Sequence, residues 1–353
     1  MAERVFVTGI SGFLGGHIAL QLLADGHLVR GSVRDPGKAE RVRATLARHG
    51  GDLGRLEIVT LDLLEETGWA AAMADVGYLQ HVASPLPTVA PDDPEALLRP
   101  AVEGTRRVLE AALAAGVRRV VLTSSVAAVT YGQPRQRTAP FTEADWSATS
   151  GGDVTAYSES KTRAELEAWA VMEAAGRRED LAAINPAVVL GPLLADDPGT
   201  SAQLVLALLD GSLPALADFH FGIVDVRDVA ALHVRAMLHP LAGGHRYLAS
   251  AGDRSLAELA AMLREAFPER ARRVPRLLLP DWLVRLYARA DRRVAEHVRS
   301  LGVRRELDFH PAESLLGRPF ITPRVAAAAT ARSLIDAGLL PHAAAGRGSE
   351  KRG

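Results

Sequence analysis

The stretch VFVTGISGFLGGH, residues 5–17, joins a short apolar run to a helix-like run through three glycines at three-residue spacing. The motif is G-x-x-G-x-x-G, one residue longer than the usual dinucleotide fingerprint. In such a turn the first glycine permits the tight bend, the second lets backbone N–H groups approach phosphates, and the third allows close helix–strand packing. The helix N-terminus adds partial positive charge. A nucleotide site here would use Gly9, Gly12, Phe13, Leu14 and Gly15; a purely structural turn is the alternative.

Short β-branched runs alternate with longer amphipathic stretches through the first half of the chain. The periodicity predicts strands at 5–7, 28–33, 56–59, 78–82 and 119–122, and helices at 13–24, 38–49, 101–115 and 156–175. A strand at 181–184 completes the predicted sheet. This alternation is typical of an α/β protein with a doubly wound parallel sheet of the Rossmann type.

The alternation breaks after residue 185, where proline-punctuated loops and helices at 255–266 and 280–295 follow. We therefore expect two domains. Residues 1–185 with 222–240 form the nucleotide-binding domain, and residues 186–221 with 241–345 form a smaller C-terminal substrate-binding domain. The polar residues 346–353 are expected to be a disordered tail.

The composition describes an ordinary globular chain of 353 residues, 48% of them hydrophobic. Its 41 basic and 42 acidic residues give a formal net charge of -1, so we expect binding neither to nucleic acid nor to a membrane. The most apolar later stretch, 181–194, is too short to span a bilayer. Zero cysteines exclude a disulfide and a thiolate site, and fit a cytoplasmic location. The 11 histidines show no H-E-x-x-H spacing, so no metal site is expected.

Tyr157 and Lys161 stand four residues apart, on one face of the helix predicted at 156–175. A tyrosine hydroxyl is a poor acid at neutral pH. A nearby ammonium stabilises the phenolate and moves the pKa of the tyrosine toward the working range, and Lys161 can also hold a nicotinamide ribose. The pair predicts a general acid with its supporting cation. The same spacing also arises by chance on exposed helices.

The run RVVLTSS, residues 119–125, delivers three hydroxyls at the end of a buried strand. Ligands bind at the carboxyl ends of strands in such sheets. Ser125 would hydrogen-bond a substrate carbonyl oxygen beside Tyr157 and polarise it. The alternative is that these hydroxyls only cap a turn.

The second predicted strand ends in Arg34 and Asp35, where the 2′ position of an adenosine ribose should lie. Arg34 would pair with the 2′-phosphate of NADP, with Arg41 assisting, whereas Asp35 would accept from the free hydroxyl of NAD. We favour NADP(H) and leave NAD(H) open. Asp62 and Leu63 follow the third strand and would frame the adenine ring, unless Asp62 only forms a turn.

The sequence closely resembles the extended short-chain dehydrogenases/reductases, and within them the dihydroflavonol reductase-like and aldehyde (carbonyl) reductase-like branch. The likeness runs through most of the chain. It is carried by residues 7–15, 33–36, 62–63, 81–85, 103–105, 123–125, 141–146, 157–161, 185–192 and 224–230.

The resemblance implies an NADP(H)-dependent oxidoreductase that reduces an aldehyde or ketone to an alcohol. It makes Ser125, Tyr157 and Lys161 the catalytic residues and gives Arg34 to the 2′-phosphate. Further cofactor contacts are implied for Val82, Ala83, Ser84, Pro186 and Val188. It also suggests a homodimer formed through the helices at 101–115 and 156–175.

The predicted substrate pocket is mostly apolar and comprises residues 84–86, 126–131, 190–194 and 201–221. This favours a small neutral carbonyl over a sugar nucleotide, whose diphosphate would need converging cations. Arg227 is the candidate for that role, but we expect it to pair with Asp225 and Asp228. Thr130 stands where plant dihydroflavonol reductases carry an asparagine, which argues against a plant-like flavonoid.

Three other functions stay open. The first is an epimerase or dehydratase that keeps its cofactor bound and returns the hydride. The second is a hydroxysteroid-type dehydrogenase. The third is a non-catalytic nucleotide-binding protein, which would need none of Ser125, Tyr157 and Lys161.

Overall fold

The structure is a computed structural model that describes residues 3–84, 93–195 and 199–340. The predicted tail, 346–353, and residues Pro85 and Leu86 of the predicted pocket lie outside these ranges. The described strands are β1 (Arg4–Thr8), β2 (Leu28–Val33), β3 (Leu56–Thr60), β4 (Tyr78–His81), β5 (Arg119–Thr123), β6 (Leu181–Pro186), β7 (Val188–Leu190), β8 (His220–Asp225), β9 (Arg246–Ala249) and β10 (Asp253–Ser255).

The α-helices of the described residues alternate with these strands in the first half of the chain and dominate the second. They are α1 (Phe13–Ala24), α2 (Ala39–Arg48), α3 (Trp69–Ala72), α4 (Glu95–Ala114), α5 (Ala156–Ala174), α6 (Gly199–Asp210), α7 (Val226–Leu238), α8 (Leu256–Ala266), α9 (Asp281–Tyr287), α10 (Arg292–His297), α11 (His310–Leu316) and α12 (Pro323–Asp336). None of them is long and apolar enough to cross a membrane, within the residues described.

The main sheet is parallel and has the order β3-β2-β1-β4-β5-β6-β9, which confirms the predicted Rossmann class. Val5, Phe6 and Val7 in the central strand are fully buried, because helices cover both faces of the sheet. One face packs against α1 and α7, and the other against α4 and α5.

The prediction that residues 181–184 complete the sheet was wrong. β9 pairs with β6 and adds one more edge strand, although residues 246–249 lie in the segment assigned to the smaller domain. A four-residue strand carries little periodicity of its own, and only its pairing with β6 identifies it.

Two predicted helices also differ from the structure. α4 begins at Glu95, six residues before the predicted start, and continues through Pro100. Pro100 is the sixth residue of α4, where proline removes one i→i−4 hydrogen bond and its ring crowds the preceding turn, so the local sequence disfavours the helix that the structure shows there. The helix predicted at 280–295 is two helices, α9 and α10. A turn at residues 288–290 separates them, and Asp291, a residue type that favours a helix N-cap, directly precedes α10.

A second, three-stranded sheet has the order β10-β8-β7. Its apolar residues share a core with α6, α8 and α12. Ala187 alone separates β6 of the main sheet from β7, so the chain passes between the two sheets at the carboxyl end of β6. That crossing point borders the cleft described next.

Candidate active site

A cleft of about 970 Å³ opens along the carboxyl ends of the main-sheet strands. It brings together nearly all of the predicted site residues, although they come from widely separated parts of the chain. The predicted residues that line it are Gly9, Gly12, Phe13, Leu14, Gly15, Arg34, Asp62, Leu63, Val82, Ala83, Ser84, Ser125, Tyr157, Lys161 and Pro186.

Val188 is the exception among the predicted cofactor contacts. Its side chain packs into the core of the smaller sheet, whereas Ala187 and Val189 line the cleft. Side chains alternate between the two faces of a strand, so a shift of one residue changes the face that a side chain occupies. Of the predicted substrate pocket, Ser84 and Ser201 line this cleft, and residues 126–131 and 190–194 do not.

The glycine turn has the geometry that phosphate binding requires. Gly9 has φ +68, in the left-handed region, and a Cβ atom on Gly15 would overlap the carbonyl oxygen of Gly9. Gly12 is the N-cap of α1 and offers no side-chain cap. The first N–H groups of α1 therefore stay available at the cleft, where the helix dipole favours an anion.

Thr8, which sequence reasoning did not single out, links the glycine turn to the loop after β4. Its hydroxyl accepts from the N–H groups of Val82 and Ala83, both at 2.9 Å, and donates to Nδ1 of His81 at 2.9 Å. Burial lowers the pKa of His81 to about 3, so this imidazole is neutral and can accept. The loop after β4 is thereby tied to β1.

The strand end at Arg34 favours a 2′-phosphate. Arg34 and Lys38 both line the cleft, and neither has an acidic partner among the described residues. Asp35, the candidate for NAD, also lines the cleft, but its Oδ1 accepts from the N–H of Gly37 at 2.9 Å and caps a short helical turn. Arg41, expected to assist Arg34, lines a separate small pocket. Lys38 is the second cation that sequence reasoning missed.

The helix α5 holds Tyr157 and Lys161 through a strong N-terminal cap. Thr155 and Ser158 form a reciprocal capping box, which places Tyr157 in the first turn. Tyr157 is half-buried and hydrogen-bonded to the side chain of Ser125. Lys161 is buried one turn further on, with Nζ 3.4 Å from the main-chain oxygen of Thr123.

Burial dominates the proton affinity of both groups. It raises the pKa of Tyr157 to about 12; the hydrogen bond from Ser125 opposes the rise, and the neighbouring Tyr131 adds to it. Burial lowers the pKa of Lys161 to about 8, against the opposing charge of Glu165. The lowering of the pKa of Tyr157 by Lys161 that the sequence predicts is not among these causes, and burial sets the direction of the shift.

Ser125 is held by its neighbours at the end of β5. Its hydroxyl accepts from the N–H of Ala127 at 3.1 Å, so the serine does cap a turn as well as meeting Tyr157. The adjacent Thr123 donates its hydroxyl to Nε2 of His233 at 2.7 Å, and Nδ1 of His233 donates to a helix carbonyl. Burial lowers the pKa of His233 to about 4, which keeps it neutral and able to accept.

Arg227, the candidate for a substrate diphosphate, forms the predicted ion pair. It binds Asp225 through Nε and Nη2, at 2.8 and 2.7 Å. Asp228 pairs with Arg318 instead, at 2.6 Å. Arg227 therefore has a structural partner already.

Comparison with known proteins finds one matching family model and several reductases among the relatives of this chain. The model of the NAD dependent epimerase/dehydratase family matches residues 5–249. Cinnamoyl-CoA reductase 1 of Oryza sativa subsp. japonica is 39% identical over 268 residues, which cover 75% of this chain and 76% of that protein. Tetraketide alpha-pyrone reductase 2 of Arabidopsis thaliana is 34% identical over 273 residues, covering 75% and 83%.

A solved structure extends this similarity over nearly the whole fold. The yeast methylglyoxal/isovaleraldehyde reductase complexed with NADPH superposes with a TM-score of 0.77 at 26% identity, covering 95% of this chain and 99% of that one. The chain is thus an NADP(H)-dependent oxidoreductase that reduces a carbonyl group to an alcohol. It belongs to the NAD dependent epimerase/dehydratase family, within the reductases that resemble dihydroflavonol reductase.

Proposed function

We propose that the cleft reduces a small neutral aldehyde or ketone with Tyr157 as general acid, Ser125 as carbonyl-orienting residue and Lys161 as their supporting cation. One observation carries this proposal. The hydroxyls of Ser125 and Tyr157 are hydrogen-bonded to each other inside the cleft, with the Lys161 ammonium one helical turn away. A carbonyl oxygen that enters between the two hydroxyls would replace that bond with two of its own.

The proton chemistry follows from the pKa values of these residues. With its pKa raised to about 12, Tyr157 is fully protonated at neutral pH and is a hydrogen-bond donor to the carbonyl oxygen. The hydride would come from NADPH bound in the cleft. As negative charge develops on the oxygen, the Tyr157 proton moves to it, and Ser125 holds the oxygen in place. The charge of Lys161, with a pKa of about 8, then stabilises the tyrosinate that remains.

The cofactor fits residues on the opposite half of the cleft. The free N–H groups at the start of α1 suit a pyrophosphate. Arg34 and Lys38 at the end of β2 suit a 2′-phosphate, while Asp62 and Leu63 suit the adenine. Pro186, Ala187 and Val189 lie at the end where the catalytic residues stand and suit the nicotinamide.

The lining also supports a neutral substrate. Arg227, which would have to bind a diphosphate, is engaged by Asp225. Apolar side chains such as Val82, Pro186 and Val189 border the cleft. An aromatic or aliphatic carbonyl compound matches this surface better than a sugar nucleotide.

The test is NADPH oxidation by the purified protein with aromatic aldehydes, aliphatic ketones, β-keto esters and a dihydroflavonol. We expect turnover with at least one neutral carbonyl and its loss in Tyr157→Phe, with NADPH affinity retained. Near-native turnover by Tyr157→Phe would remove Tyr157 from the acid role. Turnover of a substrate without added NADPH, by protein carrying copurified cofactor, would instead identify an epimerase or dehydratase.

We also propose an oligomeric state and a cellular location for the protein. α4 and α5 pack side by side on one face of the sheet, and Leu166 on α5 is 43% exposed. This supports a homodimer that buries the outer surface of the two helices. Light scattering on the purified protein gives its mass and tests the proposed dimer. Cell fractionation tests the proposed cytoplasmic location.

A further inference from the structure

A buried ion pair lies behind the catalytic residues. Glu165 on α5 and Arg246 on β9 share two hydrogen bonds, from Nε to Oε1 at 2.7 Å and from Nη2 to Oε2 at 3.2 Å. Their side chains are 0% and 6% exposed. Arg246 also donates to the main-chain oxygens of Glu143 and Asp145, and its guanidinium lies 3.7 Å from the ring centre of Trp146. These contacts hold the Arg246 guanidinium in one orientation, and its two hydrogen bonds in turn hold the Glu165 carboxylate.

Trp169 donates Nε1–H to Oε1 of the Glu165 carboxylate at 3.3 Å, and two further bonds of the carboxylate lead toward the catalytic serine. Ser124 donates its hydroxyl to Oε2 at 2.5 Å, and Asn185 donates Nδ2 to the same oxygen at 2.8 Å. Nδ2 of Asn185 also donates to the main-chain oxygen of Ser125 at 3.1 Å. The carboxylate is thus linked through the buried hydroxyl of Ser124 and the buried amide of Asn185 to the two residues that follow β5.

Glu165 also follows Lys161 by one helical turn, so the two side chains lie on the same face of α5. Its negative charge raises the pKa of Lys161 and partly cancels the effect of burial. His81 faces the same ammonium from β4, but burial holds the pKa of His81 at about 3 and keeps it neutral. Among the residues that the structure describes, Glu165 is therefore the acidic group whose charge acts on Lys161.

Stability alone is a weak reason for such a pair. Two charges taken out of water lose hydration, and their mutual attraction often does no more than offset that loss. A well-packed apolar pair could fill the same space. The links to Ser125 and Lys161 are what an apolar pair would not provide.

We propose that Glu165, held by Arg246, is a positioning residue that orients Ser125 through Asn185 and keeps Lys161 cationic. This inference rests on the proposed roles of Ser125, Tyr157 and Lys161. It predicts two separable effects, one on the charge of Lys161 and one on the orientation of Ser125.

The effect on charge is tested with Glu165→Gln, by the pH dependence of kcat for carbonyl reduction. Without the carboxylate charge the pKa of Lys161 falls further, so the decline of kcat at high pH should begin about one pH unit lower than in the wild type. Glu167→Gln is the matched control, because Glu167 lies on the same helix and pairs with Arg106 at the surface. The control should keep the wild-type profile. A folded Glu165→Gln enzyme with an unshifted profile overturns the proposal.

The effect on orientation is tested with Asn185→Ala, which leaves the charge of Glu165 in place. It also gives an answer if Glu165→Gln does not fold. We expect kcat to fall about tenfold with an unchanged pH profile and with KM for NADPH within about twofold of wild type. Native kcat in this variant overturns the positioning role of the network.

Tyr157→Phe measured beside these variants distinguishes a failure of the positioning role from a failure of the proposed function. If Tyr157→Phe is inactive while Glu165→Gln and Asn185→Ala behave as wild type, only the positioning role fails. If Tyr157→Phe is active, the proposed function itself fails.

Discussion

Lys161 carries the charge that should set the upper pH limit of the reaction. Burial lowers the pKa of Lys161 to about 8, so the side chain is cationic below that pH and loses its proton above it. Because the ammonium stabilises the tyrosinate left after proton transfer, kcat should be level from pH 6 to about 7.5 and fall tenfold per pH unit well above 8. A pH series of single-turnover rates measures this. Rates that stay level up to pH 10 would contradict it.

Arg34 should decide between the two nicotinamide cofactors. It lines the cleft at the end of β2 with no acidic partner among the described residues, and Asp35 beside it is occupied in a turn. Arg34→Ala should weaken NADPH about 10- to 100-fold, the usual range for charge-assisted hydrogen bonds, and leave NADH nearly unchanged. Titration of both cofactors by fluorescence measures the difference. Arg41→Ala is the control, since Arg41 lines a different pocket. If Arg34→Ala lost the same affinity for NADPH and for NADH, Arg34 would not bind the 2′-phosphate.

At the scale of elements, the turn between β1 and α1 has no space for a side chain at its third glycine. A Cβ atom on Gly15 would overlap the Gly9 carbonyl oxygen, which is main chain and cannot rotate away. Gly15→Ala should therefore displace the turn and lower NADPH affinity by at least about tenfold. The next residue provides the control: a Cβ on Gly16 would lie 3.3 Å from the terminal carbon of Leu194, which can move, and at ordinary contact distance, 3.7 Å, from the carbonyl oxygen of Ile10. Calorimetric titration should give Gly16→Ala near-native affinity, and equal behaviour of the two variants would exclude this explanation.

Elements with local signals were predictable, and elements that depend on distant partners were not. The bounds of α1 and β2 match the predicted ranges, since apolar periodicity and the flanking glycines act locally. The strand at 246–249 is defined by pairing with residues more than 60 positions earlier, so its own four residues do not reveal it. The same holds within the site. Gly9, Tyr157 and Ser125 carry motifs, whereas the contact of Glu165 with Arg246 joins residues 81 positions apart.

At the scale of the whole molecule, the cleft draws on both parts of the fold. Its phosphate and ribose ends are built on β1 and β2 of the main sheet, while Val189 and Ser201 reach it from β7 and α6. The division into two domains stays a prediction, with β8 at the predicted boundary. A ligand that contacts both parts would join them, so its binding energy should appear in the stability of the entire chain.

NADPH should therefore raise the apparent unfolding temperature, and NADH should raise it less. A ligand that binds only the folded state at a concentration one hundred times its Kd adds about 2.7 kcal/mol to the free energy of unfolding. Differential scanning fluorimetry with matched concentrations of the two cofactors measures the shift. In Arg34→Ala the NADPH shift should fall toward that of NADH, because Lys38 is then the cation that remains at the 2′-phosphate. A shift that is equal for both cofactors in the wild type would mean that Arg34 and Lys38 do not hold the phosphate that distinguishes them.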